Sequence, residues 1–217
     1  MTQLAGRVVL FDCDGVLVDS DSTVQAAWSR WADEQGLLPA DVLAVVHGRR
    51  SVDTVAALLP GPRREAALAL IDRYEVEAAR DVRAVAGARQ LLSSCPPGAW
   101  AVVTSGRHEL ALARLAAAGL PTPAVLVTGD DVRRGKPDPE GYVAAAALLG
   151  AAPSEAIVVE DSPDGIRAAR AAGVGAVLGV GRRAADAGPD ARVSDLTAVR
   201  WTGAGLSVDD EPGGQAR

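Results

Sequence analysis

"RVVLFDCDGVLVDS", residues 7–20, begins as an apolar run and breaks at once into carboxylates and a glycine. Residues 7–12 read as a parallel strand buried on both faces. Asp12 and Asp14 stand at i and i+2, on the same side of an extended chain. Gly15 lets the chain bend there, so the two carboxylates can diverge. Such a pair can bind a hard cation or divide labour as nucleophile and acid/base; an aspartate-rich turn is the plain alternative. Cys13, between them, turns to the opposite side and into the core.

Similar runs follow at "AWAVVTSG" (99–106), "AVLVTG" (124–129), "AIVVED" (156–161) and "GAVLGV" (175–180), each ending in polar residues or glycine. Between them lie the helical stretches "RHELALARLAAAG" (107–119), "DPEGYVAAAALLG" (138–150) and "SPDGIRAARAAG" (162–173). The last two open with Asp or Ser and Pro, and all three close with Gly, as helices do. Alternating strands and helices imply an α/β fold, a parallel sheet covered on both faces. Sites in such sheets form beyond the carboxyl ends of the strands. Asp12, Thr104, Glu160 and Asp161 are all expected at such ends.

Residues 20–86 break the pattern. "STVQAAWSRWADEQG", "PADVLAVVHG", "SVDTVAALLP" and "REAALALIDRYEVEAARDV" all read helical, with no strand between. Trp28 and Trp31 share a helix face and are expected inside a small bundle. An insertion of this kind after the first strand reads as a cap over residues 18–86, with a core formed by 1–17 and 87–217. The tail "DDEPGGQAR" (209–217) reads as frayed.

Apolar residues make up 48% of the chain, enough for a substantial core. The formal net charge is −6, which argues against nucleic acid or an anionic membrane as partner, since both need a basic face. Two cysteines are too few for a disulfide framework, and no signal peptide or run of ~18 apolar residues is seen. A soluble, cytoplasmic protein is expected; no oligomeric state is read from the sequence.

Lys136, in "RGKPDPEGY" (134–142), is the only lysine; the other 21 basic residues are arginine. Arginine and lysine are not equivalent, one being a planar fork and the other a compact point charge. A lysine kept where arginine serves everywhere else suggests a site too tight for a fork. Pro137 holds it away from helical angles. Beside Asp12, its ammonium would keep that carboxylate ionised and offset incoming phosphate charge. Thr104, Ser105 and Gly106 precede a helix, where hydroxyls and free N–H groups form an anion cradle or a simple cap. The acid pair Glu160 and Asp161, opposite Asp12, calls for a cation. Mg²⁺ suits oxygen ligands, and no His or Cys cluster favours Zn²⁺. Asp164 is expected to be exposed in the next helix's first turn.

Taken in order, DxDGxxxDS at 12–20, the strand ending in Thr104, Lys136 in GKPDP and the acid pair at 160–161 resemble the four motifs of the haloacid dehalogenase-like phosphohydrolases. The resemblance spans nearly the whole chain and includes a helical cap between the first two motifs. "HGRRSVDT", "WAVVTSG" and "RGKPDPEGY" look more narrowly like the family's bacterial sugar and polyol phosphatases. The resemblance implies a Rossmann-like core. It implies that Asp12 attacks phosphorus to form an aspartyl-phosphate, and that Asp14 protonates the leaving oxygen and then activates water. It implies Mg²⁺ on the Asp12 carboxylate, the Asp14 carbonyl and Asp161, with Glu160 as ligand or support. Thr104, the Ser105 amide, Gly106 and Lys136 would hold the phosphoryl oxygens. The cap segment His47, Gly48, Arg49 and Arg50 would meet a small sugar or polyol phosphate, with Arg50 reaching hydroxyls or phosphate. A cis Lys136–Pro137 bond is also implied.

Two rivals share features. A phosphate-accepting receiver combines Asp, Thr and Lys on a parallel sheet, but against it stand the large insertion and the acid pair arriving after Lys136, and Asp14 suggests a built-in hydrolytic base. A β-phosphoglucomutase-like mutase shares fold and motifs, but places a cap histidine where this chain has Val24. Cys95 lacks the arginine of a cysteine phosphatase, Ala101 standing in its place. "GDDVRRGKPD" fails as a P-loop in spacing and in Pro137. His108 is expected on the surface.

Overall fold

Val8–Phe11 (β2) lies inside a six-stranded sheet. Trp100–Val103 (β5) and then Leu126–Val127 (β6) flank it on one side. Ala156–Glu160 (β7), Ala176–Val180 (β8) and Ala191–Val193 (β9) follow on the other. Every neighbouring pair is parallel. The computed structural model describes residues 1–209; apart from Asp209, the tail read as frayed lies outside them.

Strand periodicity divides β2 between two cores. Val8 and Leu10 pack with Tyr142, Ala145, Ala146 and Ile166, from Glu140–Leu148 (α7) and Pro163–Ala172 (α8). Val9, Phe11 and Cys13 face the other way, with Leu91 of Ala88–Ser94 (α5) and Leu115 of His108–Ala117 (α6). Each such Val or Leu side chain contributes roughly 1.5–3 kcal/mol on burial. Continuous apolar strands are thus what a sheet covered on both faces requires.

The chain leaves this core through Val18–Asp19 (β3) and returns through Arg83–Ala84 (β4), a two-stranded antiparallel ribbon. Between them lie Asp21–Gln35 (α1), Pro39–Val46 (α2), Ser51–Leu58 (α3) and Gly61–Ala78 (α4). Their apolar faces share one core, in which Trp28 and Trp31 meet edge-to-face at 5.2 Å. Trp31 also donates its indole N–H to the Ala67 carbonyl at 2.8 Å. Its polar atom is thereby satisfied inside the bundle.

Sequence reading did not expect the three-stranded antiparallel sheet of Thr2–Ala5 (β1), Gly205–Val208 (β11) and Val199–Trp201 (β10). Its strands are short, and β1 alternates only weakly, burying Leu4 alone. The short helix α5 and strand β9 were not expected either.

Candidate active site

Asp12 follows the last residue of β2, and its N–H donates to the Val159 carbonyl at 2.9 Å, which fixes it against β7. Thr104 follows β5, and Glu160 is the last residue of β7. Three neighbouring parallel strands therefore deliver these residues to one edge. Lys136 comes from the loop before α7, through a cis bond to Pro137. Its ammonium lies 2.5 Å from Asp12 Oδ1, 2.6 Å from Glu160 Oε1 and 3.3 Å from the Val103 carbonyl. An ammonium has three donors on one atom, and here each has an acceptor. A planar guanidinium could not serve all three from the same point.

Glu160 is fully buried and fully engaged. Oε1 accepts from Lys136 and from the Tyr142 hydroxyl at 3.0 Å. Oε2 accepts from the N–H groups of Asp161 and Ser162, both at 2.8 Å, and from the Ser162 hydroxyl at 3.0 Å. With both oxygens occupied, Glu160 supports its neighbours and orients Lys136.

Gly15 has φ +78°, and a Cβ there would lie 2.2 Å from Asp161 Oδ2. The bend that parts Asp12 from Asp14 therefore has room only for glycine. Asp14 Oδ1 accepts from the Ser20 hydroxyl at 2.7 Å and pairs with Arg114 at 2.9 Å. Asp161 Oδ2 pairs with Arg183 at 2.5 Å, and Arg183 also grips Asp21 at 2.8 and 2.9 Å.

Carboxylate oxygens of Asp12, Glu160 and Asp161 lie within 4.8 Å of one another. Burial, and then the surrounding carboxylates, push the Asp12 carboxyl well above its ordinary range, although Lys136 pulls it down. Burial and Glu160 push Asp161 up to about 7 against the pull of Arg183. For Lys136, burial opposes the charged form, but Asp12 and Glu160 outweigh it and hold the ammonium well above the lysine range. The excess at this edge is negative, oxygen-only and buried: a donor set fit for a hard divalent ion.

The cap closes over this edge, leaving a cavity of about 60 Å³. Gly48 (φ +74°) packs tightly against the core; a Cβ there would meet Ser162 Oγ at 2.7 Å. Its carbonyl accepts from the Ser105 hydroxyl at 2.8 Å. Thr104, Ser105, Gly106, His47 and Gly48 all reach the cavity wall, and Thr104 Oγ1 takes the Gly106 N–H at 3.0 Å. Burial, and then Arg183, hold His47 below the ordinary histidine range.

Two placements differ from expectation, those of Arg50 and Asp164. Arg50 does not line the cavity: its guanidinium pairs with Asp53 at 2.7 Å and donates to the Val132 carbonyl at 2.8 Å, clamping the loop before Lys136. Lys136, against Asp12, lines an adjoining pocket together with Thr104 and Ser105. Asp164 is buried, because Arg49 from the cap reaches it at 3.0 Å and Arg167 pairs with it on the other side. His108 is exposed, as expected.

Sequence reading missed Arg114, Glu75, Arg183 and Tyr142. Arg114 shares the buried face of α6 with Leu110, Ala111 and Leu115, and Glu75 follows Ile71 by one turn in α4. A charged residue at a core-facing helix position is a signal the sequence did carry. Arg183, just beyond the end of β8, carried only the weaker signal of a strand end.

Residues 7–173 match the family model of the haloacid dehalogenase-like hydrolases. The chain is 44% identical over 170 residues to hexitol phosphatase A of Escherichia coli K12, covering 76% of this chain and 78% of that one. It is 39% identical to validoxylamine A 7'-phosphate phosphatase of Streptomyces hygroscopicus subsp. limoneus, covering 93% and 99%. A hydrolase of Pseudomonas syringae superposes with a TM-score of 0.79 at 26% identity, covering 88% and 94%. CbbY of Rhodobacter sphaeroides, solved with phosphate, shares the fold with a TM-score of 0.75 at 22% identity, covering 88% and 95%. The chain belongs to the haloacid dehalogenase-like hydrolases, and its enzyme class is that of the phosphoric monoester hydrolases. Among the described residues no helix is long and apolar enough to cross a membrane.

Proposed function

We propose that this enzyme hydrolyses small sugar or polyol phosphates through an aspartyl-phosphate on Asp12, with Mg²⁺ as cofactor. The observation that carries the reading is the Lys136 ammonium held between Asp12 and Glu160 at a strand-end edge rich in carboxylates. The similarity to phosphatases whose names specify hexitol and sugar-like phosphates supports the substrate class.

Asp12 attacks phosphorus, forming a P–O bond as the bond to the sugar or polyol oxygen breaks. That oxygen takes a proton from Asp14. Asp14 then takes a proton from a water that attacks the phosphorus, releasing inorganic phosphate and restoring Asp12. Ser20 and Arg114 both engage Asp14 Oδ1 and so fix the carboxyl for these transfers. Thr104, the Ser105 amide and Lys136 steady the phosphoryl oxygens, and the Lys136 ammonium also opposes protonation of Asp12.

Mg²⁺ would be held by the carboxylates of Asp12 and Asp161 and the carbonyl of Asp14, with Glu160 in support. When bound it supplies charge neutralisation for the phosphoryl oxygens, the main demand of phosphoryl transfer. The cap, residues 18–86, closes on the core and brings His47 and Gly48 to the leaving group. Val24 lines the cavity where a mutase would offer histidine, which favours hydrolysis over transfer.

Phosphate release from a panel of sugar and polyol monophosphates tests the reading. Turnover over many equivalents with Mg²⁺, abolished by EDTA, is expected. Stoichiometric phosphorylation without turnover, or full activity in EDTA, would contradict it.

A further inference from the structure

The cavity wall carries five carboxylates, from Asp12, Asp14, Asp21, Glu75 and Asp161, and three guanidiniums, from Arg49, Arg114 and Arg183. Every guanidinium is already matched. Arg49 pairs with Asp164 at 3.0 Å, and Arg183 with Asp161 at 2.5 Å and Asp21 at 2.8 Å. Arg114 lies between Asp14 at 2.9 Å and Glu75 at 3.5 Å. Once Lys136 and a divalent ion have answered the phosphoryl group, the wall holds no spare cation for a second anionic group.

Its unmet capacity is of another kind. Arg114 Nε is buried with no hydrogen-bond partner among the described residues, on a side chain only 4% exposed. Beside it, Glu75 reaches in from the cap, accepting from the Ser51 hydroxyl at 2.9 Å. A hydroxyl group can accept from Arg114 Nε and donate to Glu75. A carboxylate could accept from Arg114 but would meet Glu75 as a like charge in a buried site.

Resting on the phosphatase reading above, we infer that Glu75 and Arg114 select the leaving group: a neutral, hydroxyl-bearing one is taken, and a monoester with a second anionic group is rejected. Glu75 is the specificity-determining residue, because removing its charge would leave Arg114 only partly matched and open to a carboxylate.

Steady-state kcat and KM for glycerol 1-phosphate, a hexitol 6-phosphate and 2-phosphoglycolate, on wild type, E75Q and E75D, test the inference. Wild type is expected to favour both polyol phosphates over 2-phosphoglycolate. E75Q is expected to narrow that preference by about 10- to 100-fold, the worth of a hydrogen bond to a charged group, with KM rising for the polyols and falling for 2-phosphoglycolate. E75D retains the charge but retracts it, so rejection of 2-phosphoglycolate persists while polyol KM rises; this arm decides the matter should E75Q not fold. A proportional loss of kcat on all three substrates in E75Q, or loss of rejection in E75D, would overturn the inference. Wild type equally active on all three would overturn it and leave the phosphatase reading standing. Wild type inactive on all three would overturn both.

Discussion

Lys136 shows how much one atom's geometry can demand. Its ammonium faces two carboxylates and a carbonyl, none farther than 3.3 Å, in a largely buried pocket. Lys136→Arg keeps the charge and loses the fit, because the fork must push apart Asp12 and Glu160 or leave one of them unpaired. Leaving one of a buried pair alone costs about 3–5 kcal/mol. If Asp12 is the nucleophile, losing one electrostatic contact of this kind lowers the rate by ~10²–10³. The variant is expected to lose kcat on that scale while far-UV circular dichroism stays unchanged; near-normal turnover would refute this account of the lone lysine.

At the scale of elements, the site is the meeting of three strand ends with one helix start. Helix α8 begins against Glu160 so closely that a Cβ on Gly165 would stand 1.6 Å from Oε1. Gly165→Ala must therefore displace the carboxylate that orients Lys136 or shift the helix. Overpacking of this kind typically costs about 1–3 kcal/mol. Unfolding free energy is expected to drop by that amount, with activity falling further than stability; an alanine variant of native stability and activity would show that the contact can relax.

The same elements show what the sequence made legible. Uniformly apolar runs ending in Asp12, Thr104 and Glu160 could be placed because a parallel sheet buries both faces and opens only at its ends. The helical insertion was legible from its long strand-free stretch. Arg114 and Glu75 carried only the signal of charge at a core-facing position, because their partnership between α6 and α4 exists only once the cap has folded onto the core. Arg50 misled for the opposite reason. Its neighbours in sequence suggested the cavity, while the Val132 carbonyl that binds it lies far along the chain, in the loop before Lys136.

For the molecule as a whole, access to the site and its charge both bear on behaviour. The space of about 60 Å³ between cap and core is small for a sugar phosphate. Entry of a sugar phosphate is therefore expected to need the cap to move away from the core. Asp161, pushed up to about 7 chiefly by burial, binds more protons folded than unfolded in the weakly acidic range. Metal-free stability is therefore expected to fall as pH rises from about 5 to about 7. With saturating Mg²⁺ the slope disappears: the ion holds the carboxylate ionised in the folded state, as it already is in the unfolded one, and its affinity falls about tenfold per pH unit below that range's upper end. Melting temperatures across this range should fall with rising pH in EDTA and stay level with saturating Mg²⁺; parallel slopes would place the ion elsewhere.

The most direct test of the account is an acid quench during turnover of a ³²P-labelled sugar phosphate, followed by peptide mapping. Label is expected on the peptide containing Asp12, and none on the Asp12→Asn protein, which should be inactive. Label on another residue, or an Asp12→Asn protein with more than about a tenth of normal hydrolysis, would contradict it, since losing one supporting contact already costs more than that.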